Sequence, residues 1–121
     1  MKPIILSFFI TNYGDAKPIL FYPEGKPVQI DIHLMMDNLS LDKHQIQYIL
    51  TDGNDNELGS FTQSLDLSDL PKNSSYASVA EITAFAVFDE NDPLPEKFVE
   101  VIAIVDESTP ATTKFYLMEA E

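Results

Sequence analysis

Apolar and polar residues alternate along much of the chain, and the pattern is clearest at residues 28–36. Every second residue of this segment is apolar: Val28, Ile30, Ile32 and Leu34. The residues between them are polar: Gln29, Asp31 and His33. Successive side chains of a β-strand point to opposite faces, so this alternation predicts a strand with one face in the core and one in water.

The densest apolar segment is residues 97–106, KFVEVIAIVD, which contains one internal charge, Glu100. It lies between two turn-forming segments and is rich in β-branched residues, which favours a strand over a helix. Because Glu100 is expected to face water, the opposite face is predicted to form the centre of the core: Val99, Val101, Ala103 and Val105.

The same reasoning predicts five further strands, at residues 3–13, 45–52, 58–65, 78–88 and 112–118. Their predicted inward residues are Ile4, Leu6, Phe8 and Ile10; Ile46, Tyr48 and Leu50; Ile82, Ala84, Ala86 and Phe88; and Phe115 and Leu117. The turn-forming residues 52–57 predict a hairpin between the strands at 45–52 and 58–65. A short extended piece is expected at 19–22, and single helical turns are possible within 37–44 and 66–75.

Seven strands separated by frequent turns predict a single all-β domain over residues 1–121. The predicted architecture is a two-sheet antiparallel sandwich of about seven strands with immunoglobulin-like topology; a jelly roll and a small barrel are the alternatives. Apolar residues make up 45% of the chain, enough for a core without disulfides, and cysteine is absent.

Seven basic and 20 acidic residues give a net charge of −13. Phosphate binding requires clustered Lys and Arg, so neither nucleic acid nor an anionic membrane surface is an expected partner. The apolar segment after Lys2 is expected to be a strand and not a signal peptide, since Pro3 and Ser7 interrupt it and no Ala-x-Ala site follows. With no cysteine in the chain, we predict a cytoplasmic location.

No catalytic or cofactor-binding motif is present. The four glycines do not form a phosphate-binding or dinucleotide-binding loop, and there is no G-x-S-x-G nucleophile motif. His33 falls on the polar side of a predicted strand and His44 in a predicted loop, so both are expected to face solvent. The sequence therefore predicts no enzymatic activity and no cofactor.

Two acidic loops carry oxygen ligands of the kind that calcium prefers. In loop 52–57, Asp52, Asn54 and Asn56 follow the first, third and fifth positions of a calcium loop. Loop 89–95 resembles the calcium-binding linker of cadherin repeats, D-x-N-D-N-x-P, through these residues: Asp89, Asn91, Asp92 and Pro95. Asp and Asn also favour turns for their own backbone geometry, and we expect neither loop to bind a metal.

Apolar side chains also occupy the predicted outward faces of four strands, which indicates a second covered surface. These residues are Ile5, Phe9, Phe85, Val87, Ile102, Ile104, Tyr116 and Met118. They predict a homodimer with sheets in face-to-face contact; coverage by segments 14–27 or 66–75 is the alternative. The predicted function is a non-enzymatic, self-associating interaction or structural module. The alternatives are a calcium-dependent adhesive domain and a small-ligand binder or enzyme.

Overall fold

A computed structural model describes residues 4–15, 17–19, 21–22, 28–37, 39–40, 42–52, 54, 56–68, 80–88, 98–106 and 110–117. They form eight strands: β1 (Ile4–Asn12), β2 (Phe21–Tyr22), β3 (Val28–Asp37), β4 (Lys43–Thr51), β5 (Glu57–Asp66), β6 (Ala80–Phe88), β7 (Phe98–Val105) and β8 (Ala111–Leu117). The seven longer strands occupy the seven predicted segments, and β2 lies within the short extended piece. No helix occurs in the described part, so no membrane-spanning helix is found there.

The strands form two sheets, a three-stranded sheet in the order β1-β3-β6 and a five-stranded sheet in the order β2-β8-β7-β4-β5. All neighbouring strands pair antiparallel except β2, which runs parallel to β8. The predicted two-sheet antiparallel sandwich is therefore confirmed. Residues 69–75 of the second possible helical turn lie outside the described residues, and β4 already begins at Lys43 within the first.

The core lies between the two sheets, and β7 is at its centre because this strand pairs with both β4 and β8. Its inward residues are completely buried, as predicted: Val99, Val101, Ala103 and Val105. The predicted inward residues of β3 and β4 are also buried: Val28, Ile30, Ile32, Leu34, Ile46, Tyr48 and Leu50. Tyr48 and Phe115 are the largest fully buried side chains among the described residues.

The first strand contains a β-bulge that changes which side chains face inward. The pairing of β1 with β3 shifts between Ile5 and Ser7, which inserts one extra residue into β1. Since side chains alternate every residue, one inserted residue exchanges the two faces. Ile4 and Leu6 are exposed, whereas Ile5 packs against the core. The predicted inward positions of Ile4 and Leu6 and the predicted outward position of Ile5 were therefore wrong.

The predicted hairpin of β4 and β5 is confirmed by their antiparallel pairing, whose register shifts once, between Leu50 and Thr51. On β6, the predicted inward face is also confirmed, with Ala84 and Phe88 buried and Ile82 and Ala86 packed against the core. β6 consequently turns Phe85 and Val87 to the outer face of the three-stranded sheet.

Candidate interaction surface

The residues predicted to form one interface lie on two different sheets. Those on the outer face of the three-stranded sheet are Phe9, Phe85 and Val87. Those on the outer face of the five-stranded sheet are Ile102, Ile104 and Tyr116. Ile5 faces the core, and Met118 lies outside the described residues. The outer faces of two stacked sheets point in opposite directions, so one flat contact cannot contain both groups.

On the five-stranded sheet, neighbouring side chains partly bury the outward apolar residues. Ile102 is flanked by Ile49 of β4 and Thr112 of β8 in the sheet register. The Lys114 ammonium lies over the rings of Phe98 and Tyr116, 4.9 and 5.3 Å from their centroids. These neighbours within the sheet shield part of Ile102 and Tyr116 from solvent.

Apart from Ile4 and Leu6 at the bulge of β1, three large apolar side chains of the described part of the three-stranded sheet are exposed: Tyr13 at 61%, Phe85 at 48% and Val87 at 42%. The rings of Tyr13 and Phe85 are 4.6 Å apart at their centroids and tilted by 54°. This group brings together the end of β1 and the second half of β6. Tyr13 was not among the predicted interface residues, although it is the last residue of the predicted strand 3–13 and shares the outward phase of Phe9. It reaches Phe85 only through the β1-β3-β6 arrangement.

A turn next to Tyr13 covers a carboxylate on this face. Asp15 N donates to Asn12 O at 3.0 Å, and Gly14 has φ of 77°, which is the geometry of a type II turn. Gly14 N donates to Asp31 Oδ2 at 2.9 Å. Asp31 was expected to face water; it lies on the predicted face, but the turn buries most of it. The hydrogen bond to Asp31 thereby ties the turn that contains Tyr13 to β3.

A second aromatic contact lies in the adjacent row of the sheet. The rings of Phe9 and His33 stack with centroids 4.8 Å apart, and His33 Nε2 lies 2.8 Å from Thr11 Oγ1. Because Thr11 Oγ1 donates to Asn12 O at 3.0 Å, this hydroxyl can only accept from His33. Thr11 is fully buried, so this pair orients the histidine ring and presents no hydroxyl for nucleophilic attack.

A polar link joins the two sheets at the side of the sandwich formed by β5 and β6. The hydroxyl of Tyr48 donates to Gln63 Oε1 at 2.9 Å, and Gln63 Nε2 donates to the carbonyl oxygen of Thr83 at 3.3 Å. Burial raises the pKa of Tyr48 to about 12. The link connects β4 and β5 of one sheet to the outermost strand of the other.

His44 was expected to face solvent from a loop, and this was wrong. It lies in β4 with only 5% of its surface exposed. Its Nδ1 is 2.5 Å from Asp106 Oδ2, and its Nε2 is 2.8 Å from the carbonyl oxygen of Ser40. Asp106 also accepts a hydrogen bond from Gln45 N through Oδ1, at 2.9 Å. Asp106 is in the left-handed region with φ of 50°, which Asp tolerates better than most residues.

The surroundings of His44 favour its protonated form. Burial alone would lower the pKa of His44, but the hydrogen bonds to Asp106 and Ser40, together with the charges of Asp106 and Asp42, raise it above 6.5. Both ring nitrogens face acceptor atoms, which suits an imidazolium with two N–H donors. The pair ties the end of β7 to the start of β4, and both nitrogens are occupied by that structural role.

A shallow depression of about 270 Å³ adjoins Asp106 on the outer face of the five-stranded sheet. Its lining is mainly polar: Gln45, Gln47, Thr62, Ile104 and Asp106. Ligand pockets usually combine a deep apolar lining with a few convergent polar groups. This depression lacks that combination and gives no support to a small-ligand site.

The first acidic loop is organised by its own hydrogen bonds. Asp52 Oδ1 accepts from the backbone N–H groups of Asn54 and Asn56 at 2.7 and 3.3 Å, and Oδ2 accepts from Asn56 Nδ2 at 2.7 Å. The hydrogen bond from the Asn56 side chain, followed by that from Asn54 N, lowers the pKa of Asp52. Turn formation therefore accounts for the Asp and Asn residues of loop 52–57. The described residues contain no group of three or more His, Cys, Asp or Glu side chains suited to a metal. The candidates Asp89, Asn91 and Asp92 lie outside the described residues.

We expect millimolar calcium to leave the melting temperature unchanged, because the Asp52 carboxylate is already used by its own loop. A ligand that binds only the native state would raise the melting temperature by mass action. Thermal unfolding with calcium, with magnesium and with neither ion tests both loops together. A rise with calcium that magnesium does not reproduce would contradict the expectation. An Asp52→Ala and an Asp89→Ala variant would then show which loop is responsible.

No protein-family model matches the sequence, and no curated protein matches it. Among solved structures, the chain is similar to the alkylpurine DNA glycosylase AlkC of Pseudomonas fluorescens bound to DNA containing an abasic site analogue, with a TM-score of 0.60 and 9% identity. The match covers 97% of this chain and 30% of the glycosylase, so this chain spans less than a third of that protein. A β-glucosidase of Listeria innocua in complex with glucose matches with a TM-score of 0.47 and 8% identity, over 96% of this chain and 16% of the enzyme. At these identities, the likeness to the glycosylase shows the fold alone.

Proposed function

We propose that this chain is a non-enzymatic protein-interaction module of the β-sandwich type that self-associates. The observation that carries the proposal is the exposed group formed by Tyr13, Phe85 and Val87 on the outer face of the three-stranded sheet. Single exposed apolar residues are common on soluble proteins, but a cluster containing two aromatic rings is typical of a contact surface.

The charge distribution also supports a contact at this place. Two copies with a net charge of −13 repel each other, so a self-association surface requires an apolar, locally uncharged area. Residues 84–88 of β6 carry no charge, and Glu81 is the single charged residue in the strand sequence. Phe85 and Val87 therefore lie in the part of β6 where repulsion between copies is smallest.

We propose neither nucleic acid nor a membrane as a partner, although the glycosylase that resembles this chain in fold is bound to DNA. Seven basic residues against 20 acidic ones are unfavourable for contact with phosphate. We also propose the absence of enzymatic activity. It is supported by the buried hydroxyl of Thr11, which donates to a backbone carbonyl, and by His44, both of whose ring nitrogens are hydrogen-bonded within the fold. A cytoplasmic location is proposed as well, with the absence of cysteine as its supporting observation.

We further propose that the sandwich has immunoglobulin-like topology. In that fold the first, second and fifth strands, A, B and E, share one sheet, while C, F and G share the other. Here β1, β3 and β6 share one sheet, and β4, β7 and β8 are neighbours in the other. If β2 and β5 are additional edge strands, this division supports the proposed arrangement.

The wild-type protein is expected to have a mass in solution of twice 13.6 kDa and to keep it at high salt, since apolar contacts are not screened. A Phe85→Glu variant should be monomeric, because the substitution places a charge in the apolar centre of the contact. Light scattering on both proteins across a range of concentrations measures this directly. Phe9→Glu combined with Phe85→Glu tests the whole outer face.

The matched control is Thr112→Glu, which adds the same charge at an exposed position on the opposite outer face, in β8. It should remain dimeric. A wild-type monomer at every concentration would refute the proposed function. Dissociation of the Thr112→Glu variant but not of the Phe85→Glu variant would move the contact to the five-stranded sheet.

A further inference from the structure

We propose that a second copy of this chain pairs with β6 along its outer edge, antiparallel, so that two three-stranded sheets become one continuous six-stranded sheet. This inference rests on the proposed self-association and specifies how the two copies meet. Strand addition at a sheet edge is a common mode of recognition, in which backbone hydrogen bonds supply affinity and side chains supply specificity. Four features of β6 support it: the direction of its backbone N–H and C=O groups, the unpaired part of its edge, its lack of charge over residues 84–88 and its exposed apolar side chains.

Two hydrogen bonds fix which backbone groups of β6 point to its open edge. Tyr13 N donates to the carbonyl oxygen of Gln29, so the N–H and C=O groups of Gln29 point toward β1. Gln29 and its partner on β6, Val87, therefore form a non-hydrogen-bonded pair, and the N–H and C=O groups of Val87 point away from β3. The carbonyl of Thr83 accepts from Gln63 of the other sheet, so this group also points away from β3. Because backbone direction alternates every residue, Phe85 points to the open edge in the same way.

Within the part of the chain that the structure describes, one part of the β6 edge has no pairing strand. Among the described residues, β6 pairs with β3 and with no other strand. Gln63 occupies the Thr83 carbonyl, which caps the edge in the first half of the strand. Beyond that cap, the edge-facing N–H and C=O groups belong to Phe85 and Val87, and these two residues also have exposed apolar side chains.

A two-fold axis beside Ala86 would place the edge-facing N–H and C=O groups of one copy opposite those of the second copy. In that register, Phe85 of each copy lies opposite Val87 of the second copy, and each such pair exchanges two backbone hydrogen bonds. The facing side chains form an aromatic–β-branched pair, one of the favourable cross-strand combinations. The register leaves the bond between Gln63 and Thr83 intact and pairs the uncharged residues 84–88 with each other.

The longer of the two edge strands of the other sheet, β5, does not offer the same features. Its exposed residues are polar or charged: Glu57, Ser60, Thr62, Ser64 and Asp66. Charged and polar side chains on an edge oppose pairing with another chain, and here both ends of the strand are acidic. A second copy would bring like charges together on β5, whereas residues 84–88 of β6 carry no charge.

The register is tested by disulfide trapping, for which the absence of native cysteine is convenient. Phe85→Cys and Val87→Cys variants are prepared separately, then mixed under mild oxidation. Opposed residues of a hydrogen-bonded antiparallel pair have Cα atoms about 5.5 Å apart, within the range that a disulfide spans. We expect a covalent dimer in the mixture and none in either variant alone, where the two thiols are offset along the strand by two residues.

Two substitutions at one position separate edge pairing from contact through the outer face. Val87→Pro removes the edge-facing N–H but keeps an apolar side chain, and proline is tolerated in edge strands where the N–H faces outward. Val87→Thr keeps the N–H and the β-branched shape but makes the side chain polar. Edge pairing predicts that the proline variant is monomeric and that the threonine variant remains dimeric, as measured by sedimentation velocity.

The possible results distinguish this inference from the proposed function. A wild-type monomer would refute both. A wild-type dimer with a dimeric Val87→Pro variant, a monomeric Val87→Thr variant and no trapping would refute edge pairing and leave self-association through the outer face. If Val87→Pro fails to fold by circular dichroism, the trapping experiment alone decides the matter. Trapping of either single variant with itself would show a different register and overturn the proposed axis.

Discussion

A Val101→Asp variant is expected to lose its folded structure at room temperature. Val101 is fully buried in β7, which lies between β4 and β8. Its partners on these two strands are Leu50 and Thr113. No cationic side chain faces the core at this point among the described residues, so an aspartate there would be an uncompensated buried charge. Such a substitution costs upwards of about 4 kcal/mol, which approaches the total stability of a typical domain.

Ile102→Asp is the matched control, because it places the same residue one position along the same strand but on the partly exposed outer face. It should remain folded with a modest loss of stability. Circular dichroism and urea unfolding of the two variants measure the difference. Equal stability of the two variants would contradict the expected burial of Val101, and a more stable Val101→Asp variant would show that the assigned faces of β7 are reversed.

The second expected result is a pH-dependent loss of stability on replacing Asp106 with Ala, by about 2 kcal/mol near pH 6 and less near pH 9. The folded-state pKa of His44 is raised above its ordinary value of 6.5 by the Asp106 contact, despite opposing burial. The stabilisation from the protonated histidine is therefore fully present below about pH 6.5 and decreases as the pH rises through the folded-state pKa. The hydrogen bond from Gln45 N to Asp106 is lost at every pH.

Asp106→Asn separates the charge from the backbone geometry. Asparagine also tolerates the left-handed conformation and can accept from Gln45 N, but it provides no carboxylate for the imidazolium. Its stability should depend less on pH than that of the wild type above about pH 6.5. Urea unfolding at several pH values, repeated for a His44→Gln variant, checks the assignment. If the free energy of unfolding of the wild type rose, relative to that of His44→Gln, as the pH increased above about 6.5, the assigned role of the His44–Asp106 pair would be contradicted.

The strand pattern was predictable wherever one face is buried and the pairing is regular. On β3 and β7, every residue that the sequence predicts to face inward is buried. On β1 an apolar residue also recurs at every second position from Ile4 to Ile10, yet the bulge after Ile5 reverses the faces of the first residues. A bulge depends on pairing with β3, which local sequence does not reveal, and it exposes Leu6 although leucine is apolar.

The errors at the candidate sites also arise from contacts between residues that are distant in the sequence. The burial of His44 depends on Asp106, which is 62 positions away in the sequence, so no local spacing could indicate it. The predicted interface used the correct outward phase for Phe85 and Val87 but could not tell which strands share a sheet. Sheet membership arises from long-range pairing, and it separates these two residues from Ile102 and Ile104.

The pairing of β4 with β7 also has a consequence for how quickly the chain reaches this fold. The hairpins β4–β5 and β7–β8 join strands that are neighbours in sequence, but the ladder between them brings Ile46 beside Val105. Closing so large a loop costs chain entropy before the core contacts of Val101 and Tyr48 can compensate for it. Refolding on the order of milliseconds to seconds is therefore expected, with the hairpins formed before the ladder that joins them. During that interval the uncharged edge of β6 is available to other unfolded chains, so acidic charge elsewhere in the molecule limits aggregation while the sandwich assembles.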